Sequence, residues 1–332
     1  MPPPYLFPED SGPKLVGIAR LAASGESIRE GHQVEYFTLP IRSILSRCKS
    51  SRVSFEWTIN PYRGCEFACK YCYARYTHEF MEMRNGVDFE QKIYVKQHAA
   101  ELLRQELRHV KPGESIVIGA ATDPFQPAER RYEITRAILE ELSRHKGLRI
   151  GIITKSNLVL RDIDLLQEIS KHSRLGITLT ITTMDVDLAR LLEPRAPRPD
   201  LRIEAVRKLS DAGLHTGVSC CPVIPAITDS PKNLGSLVEA TVAAGGHYIF
   251  ANPLFLKPCS AAVFMPFLEE KFPSLAASYR ERYKDRAFLP KPYHQRIAQL
   301  MTRLRQKYGM ITGQRPTERP SIPQPETQMR LF

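Results

Sequence analysis

The chain has 332 residues, 42% hydrophobic and 25% charged, the usage of an ordinary globular protein with length for a full core. Apolar stretches are short and broken, and Met1-Pro2-Pro3-Pro4-Tyr5 shows no basic segment running into an apolar one, so no secretory leader and no membrane span are expected. Lys and Arg number 47 against 36 Asp and Glu; the net charge of +11 favours an anionic partner, nucleic acid first, although Arg130-Arg131, Arg195/Arg198/Arg202 and Arg303/Arg305/Lys307 also read as solvated faces.

Residues 1–35 are rich in Pro, Gly and Ser without periodicity and read as an irregular N-terminal arm. A first strand is expected over 53–59, just before a cysteine-rich loop. From there helices and strands alternate. Helical spacing covers 99–110, 133–144, 160–172, 201–212 and 233–244, and apolar strand-like runs cover 115–119, 148–154, 175–182, 215–219 and 247–251. Six β/α units in series predict an α/β fold, a partial (β/α)6 barrel open on one side. Helices near 262–271, 275–283 and 293–308 are placed to cover that opening. The resulting division is an arm (1–35), a core (36–256), a helical extension (257–311) and a Pro-rich disordered tail (312–332).

The loop reads Cys65-Glu66-Phe67-Ala68-Cys69-Lys70-Tyr71-Cys72, a C-x3-C-x2-C spacing. Three soft thiolates this close can hold three corners of a [4Fe-4S] cluster and leave one iron open to a substrate or cofactor. Zinc is the alternative: it takes a fourth ligand, for which His78 is the nearest candidate, and no second C-x2-C is present. Seven cysteines, an odd number without a disulfide framework, fit a reducing cytoplasm. Polar residues collect where the strands end: Thr122-Asp123, Lys155-Ser156, Thr182-Thr183-Asp185 and Cys220-Cys221. In α/β barrels those ends carry the chemistry.

With Tyr71 before its last cysteine, the motif resembles that of radical S-adenosylmethionine (SAM) enzymes. The strings Asn60-Pro61-Tyr62-Arg63-Gly64-Cys65, Thr122-Asp123-Pro124-Phe125-Gln126-Pro127, Thr154-Lys155-Ser156, Glu193-Pro194 and Pro222-Val223-Ile224-Pro225 narrow the resemblance to the spore photoproduct lyase-like, DNA repair photolyase-type branch, from about Thr38 to Leu256. The resemblance implies a partial radical SAM barrel and two cofactors, a [4Fe-4S] cluster on Cys65, Cys69 and Cys72, and S-adenosyl-L-methionine. It implies an external electron donor such as flavodoxin or ferredoxin, and a 5′-deoxyadenosyl radical that takes hydrogen from the substrate. Lys155 and Thr180 match groups on the SAM carboxylate, Thr122 and Asp123 the region of its amino group, and Pro225 the stretch passing the adenine; Tyr71 flanks the cluster. Where the lyase has a hydrogen-donating cysteine, this chain reads Gly119-Ala120-Ala121-Thr122, so Cys220 or Cys221 becomes the candidate donor.

The last residues, Gln328-Met329-Arg330-Leu331-Phe332, resemble the peptide with which bacterial repair and replication proteins dock on the DNA sliding clamp, through Gln328, Met329, Leu331 and Phe332. Three functions follow: lyase- or repair-like radical chemistry on nucleic acid, the same chemistry on a peptide or small metabolite, or a non-catalytic, zinc-stabilised nucleic-acid-binding module.

Overall fold

The computed structural model describes residues 15–25, 27–31, 34–48, 53–83 and 85–310. The tail and its Gln328–Phe332 motif lie outside the described residues. Among the described residues eleven strands occur in chain order: β1 Ser27–Gly31, β2 Val34–Leu39, β3 Leu45–Arg47, β4 Trp57–Ile59, β5 Tyr62–Arg63, β6 Lys92–Lys96, β7 Ser115–Ile118, β8 Arg149–Thr154, β9 Arg174–Thr180, β10 Thr216–Ser219 and β11 Tyr248–Phe250.

Seven of them form one sheet in the order β11-β10-β9-β8-β7-β4-β3. The six from β4 to β11 run parallel, and β3 pairs antiparallel to β4 at the edge. Among the described residues β3 and β11 do not pair with each other, so the sheet is an open, partial barrel of six β/α units, as expected. The helices between its strands include Ala99–Glu106, Ile134–Ser143, Ile163–His172, Pro199–Asp211 and Pro231–Ala243. Their apolar stripes meet one face of the sheet. Ile59, Ile116, Ile118, Ile150, Ile152, Ile177 and Val218 pack there with Leu103, Leu139, Leu166, Val206 and Leu237. The alternate strand residues belong to the other face, which mixes small or polar residues (Gly151, Gly176, Thr178, Gly217 and Ser219) with Val117, Ile153, Tyr248 and Phe250. At Gly217 a Cβ would stand 2.6 Å from the Tyr248 ring, so only glycine lets that ring lie across the strand. The Tyr248 hydroxyl donates to the Ile177 carbonyl at 2.9 Å.

Two differences from the sequence expectations concern the outer parts. The first strand is three residues long, not seven. In place of an irregular arm there is a helix, Gly17–Ala23, and β1 and β2 enter a second sheet of order β1-β2-β6-β5. This sheet is built from long-range pairs, β2 with β6 in parallel and β6 with β5 antiparallel, so local patterning does not announce it. The C-terminal helices also part company. Lys291–Lys307 joins the outer layer against Pro231–Ala243, whereas Pro258–Lys271 lies on the turn Tyr73–Arg75 that follows the cysteines.

Candidate active site

The cysteine loop leaves β5 through Gly64, whose φ of +83° and whose surroundings both demand glycine: a Cβ would be 2.7 Å from the Lys92 carbonyl oxygen and 2.9 Å from that of Phe89. The Cys65 amide donates to the same Phe89 carbonyl at 2.9 Å, and the Cys72 amide to the Cys69 carbonyl at 3.2 Å. Ala68 adopts a left-handed conformation between them. Loop backbone is tied outward as well, Lys70 N–H to the Leu192 carbonyl at 2.9 Å and Arg195 N–H to that of Phe67 at 3.3 Å. Thr122 Oγ1 and Gln126 Nε2 both donate to the Gly64 carbonyl, at 2.5 and 3.2 Å. Arg75 clamps the far side, donating to the Cys69 carbonyl at 3.1 Å and pairing with Glu90 at 2.6 Å. A loop with so many backbone partners is preset rather than shaped by its ligand.

All three thiols are free. Burial, above all, pushes Cys65 well above the ordinary thiol range and Cys69 up to about 12. Without a cationic centre these groups stay protonated, and a metal cluster would supply that charge. No three His, Cys, Asp or Glu side chains among the described residues converge on a point that one ion could fill. His78, the nearest candidate for a fourth zinc ligand, packs edge-on to Phe89 and Tyr94 behind the loop. An apolar cover completes the fit: Phe67, Cys69 and Tyr71 share a second core with Leu192, Ile224, Leu256, Phe264, Phe267 and Leu268. Ser260, in the covering helix Pro258–Lys271, donates to the Cys72 carbonyl at 2.9 Å.

The strand ends around this loop divide by role. Lys155, after β8, holds its ammonium 5.7 Å from the centre of the Tyr71 ring. Burial opposes its charge, but negative charge on Cys69, the thiolate form a cluster would hold, and on the Glu193 carboxylate outweighs it and raises its pKa. Asp123 is spoken for: one carboxylate oxygen accepts from Thr154 Oγ1 at 2.6 Å and the Phe125 amide at 3.0 Å, the other from the Lys155 amide at 2.6 Å. It staples the end of β7 to the end of β8 and so aims Lys155. Thr122 is likewise committed to the loop. Thr180 ends β9, buried, with its carbonyl held by Arg202 at 3.0 Å. Pro225 is buried, and its carbonyl accepts from Tyr279 at 2.6 Å.

Cys220 and Cys221 are not equivalent. Successive side chains at a strand end point to opposite faces, and Cys220 enters the main apolar core, 1% exposed. That placement withdraws Cys220 as a candidate donor. Cys221 is half-buried, within electrostatic reach of Lys155 and Tyr73, and Asn252 bonds lower a thiol pKa that burial chiefly raises.

A buried charge pair sits behind Tyr71. Arg202 and Glu193 lie 2.5 Å apart with both side chains sealed from solvent. Glu193 also accepts from the Tyr71 hydroxyl and from Thr182 Oγ1. Burial alone would raise the Glu193 pKa; Arg202 and Lys155 reverse the sign and keep it ionised. Arg202 therefore does not belong to a solvated face. Glu193 appears in the sequence only as part of a string, and nothing local marks Arg202 as its partner.

The model of the radical SAM superfamily matches residues 59–237, which run from the last residue of β4 through the cysteine loop and β10. The chain belongs to this superfamily. Its members are enzymes that use a [4Fe-4S] cluster and SAM, which sets aside the non-catalytic zinc module. An uncharacterized protein of Mycobacterium tuberculosis is 33% identical over 334 residues, covering 98% of this chain and 94% of that one. An uncharacterized protein of Methanocaldococcus jannaschii is 31% identical over 218 residues, 66% of this chain and 77% of its own. Among solved structures, spore photoproduct lyase complexed with dinucleoside spore photoproduct matches with a TM-score of 0.60 at 16% identity, covering 82% of this chain and 79% of that chain. SuiB of Streptococcus suis, bound to its precursor peptide SuiA, matches at 0.50 and 15% identity, covering 76% and 46%. At these identities the two structures share the fold of this chain. No helix among the described residues is long and apolar enough to cross a membrane.

Proposed function

We propose that this chain is a cytoplasmic radical SAM enzyme acting on nucleic acid, in a lyase- or repair-like reaction. The observation that carries the reading is the preset loop of Cys65, Cys69 and Cys72 under an apolar cover, with the Lys155 ammonium held against Tyr71. Cys65, Cys69 and Cys72 are the residues for a [4Fe-4S] cluster. A [4Fe-4S] cluster held there would, with SAM and an electron from a donor protein, supply the radical chemistry by which hydrogen is taken from the substrate.

The chain's own residues do the rest. Lys155 provides a fixed cation for the SAM carboxylate, with Thr180 at the neighbouring strand end. Asp123 and Thr122 act one step back, orienting Lys155 and the cysteine loop. Phe67, Leu192, Phe264 and Phe267 keep water from the loop. On this reading Cys221, the less buried of the pair, would return a hydrogen atom to the product, a role the core position of Cys220 disfavours. The net charge of +11 supports nucleic acid as substrate over a peptide or small metabolite. The terminal Gln328-Met329-Arg330-Leu331-Phe332 supports docking on a sliding clamp, and removing those five residues is expected to abolish clamp binding without changing iron content.

The test is anaerobic reconstitution followed by reduction with SAM and deuterium-labelled oligonucleotides. Label appearing in 5′-deoxyadenosine is the expected result. SAM cleavage without label transfer from nucleic acid, but with transfer from a labelled peptide pool, would move the substrate to the second class.

A further inference from the structure

Beside the cysteine loop, aromatic rings line up across three elements. Tyr76 and Phe80 stand on one side of the turn Tyr76–Glu79, edge to face, with ring centres 5.9 Å apart. Phe80 is 59% exposed. Lys257, which precedes the covering helix, holds its ammonium 4.0 Å from the centre of the Tyr76 ring. Two residues earlier, Phe255 stacks on Phe288 at 4.2 Å and 18°, and its other neighbour is Tyr73 at 6.5 Å. Tyr73 is 43% exposed and directly follows Cys72. One exposed ring needs no explanation. A chain of ring contacts joined by a lysine, with Phe80 exposed at one end and Tyr73 at the other, and Tyr76 and Phe255 partly exposed between them, is a different matter, because the exposed rings can be covered by a flat ligand.

We propose that Phe80, Tyr76, Lys257 and Phe255 form a stacking platform that receives single-stranded nucleic acid and leads its bases to Tyr73 and the cysteine loop; this rests on the nucleic-acid reading above. Bases stack on aromatic rings with little regard to identity, and an interleaved cation meets the phosphate backbone. The charge balance of the chain points the same way. A peptide ligand would leave Lys257 without a regular anionic partner. Exposed Glu79, on the same turn, opposes an anion and supplies a control of opposite sign.

The experiment is fluorescence anisotropy of labelled oligothymidine against the reconstituted protein over a range of salt. Phe80→Ala is expected to weaken binding about five- to a hundredfold, the range for losing one stacked base. Lys257→Met is expected to flatten the salt slope by about 0.7, one phosphate contact on a single strand. Glu79→Gln is expected to tighten binding. Iron per chain, measured on the same samples, reports whether each variant folds. If the parent protein binds with a steep salt slope and all three variants match it, the platform is wrong and the nucleic-acid reading stands. If the parent protein does not bind at all, the nucleic-acid reading fails and takes the platform with it.

Discussion

Arg202 lies in the helix Pro199–Asp211 among Arg198, Arg207 and Lys208, which are exposed, and its own side chain is sealed against Glu193. A buried pair is costly to break from one side, because the remaining charge has no water to return to. Arg202→Met is therefore expected to destabilise the chain by about 3–5 kcal/mol. The double variant Glu193→Gln/Arg202→Met should recover much of that loss in denaturant midpoints. Equal losses in single and double variants would mean that the pair is not coupled. None of this is legible in the sequence, where an arginine on a polar stripe reads as a surface residue and its partner is nine positions away on another element. The cysteine trio is legible because its three members are local. The split between Cys220 and Cys221 needs the strand's phase at its last residue. It predicts that alkylation mapped by mass spectrometry marks Cys221, with SAM protecting it, and leaves Cys220 unmodified; equal labelling would contradict the placement. Lys96, buried at the end of β6, has its pKa lowered to about 7, chiefly by burial and then by Arg63. The unfolded chain keeps this proton up to the ordinary lysine range. Stability should thus rise with pH from about 7 upward, and Lys96→Met should flatten that slope.

At the scale of elements, the six parallel strands and their helices could be read in advance because most strands carry apolar residues such as Ile116, Ile118, Ile150 and Ile152 and the helices carry a 3.6-residue stripe. The second sheet could not. Its β5 has two residues, and β2 finds β6 across more than fifty positions of chain. The helix Val186–Leu192 also escapes a periodicity reading, being seven residues long, although its Asp185 cap accepts from the amides of Asp187 and Leu188 at 3.0 Å. The second sheet matters for the site because β6, with the short helix Asp88–Gln91 before it, forms the wall against which Gly64 is pressed. Gly64→Ala has no room for its methyl group and no tolerance for the positive φ, so the loop must shift. The expected outcome is a folded protein with its parallel sheet intact by circular dichroism that takes up less than half the iron of the parent under identical reconstitution. Full iron uptake would show that the loop is not preset.

For the whole molecule, an open sheet carries its helices on one face, and the cysteine loop with its cover sits at the ends of the strands. On the proposed reading Cys65, Cys69 and Cys72 would hold three corners of the cluster, the remaining iron would be open to SAM, and Lys155, at the adjoining strand end, would meet the SAM carboxylate. The most direct test is the electron paramagnetic resonance spectrum of the reconstituted, reduced protein recorded with and without SAM. A reduced [4Fe-4S] signal that changes on adding SAM, and fails to change in Lys155→Met at the same SAM concentration, is the expected result. A signal indifferent to SAM in the parent protein would mean that the fourth iron is already occupied, and would contradict the open site.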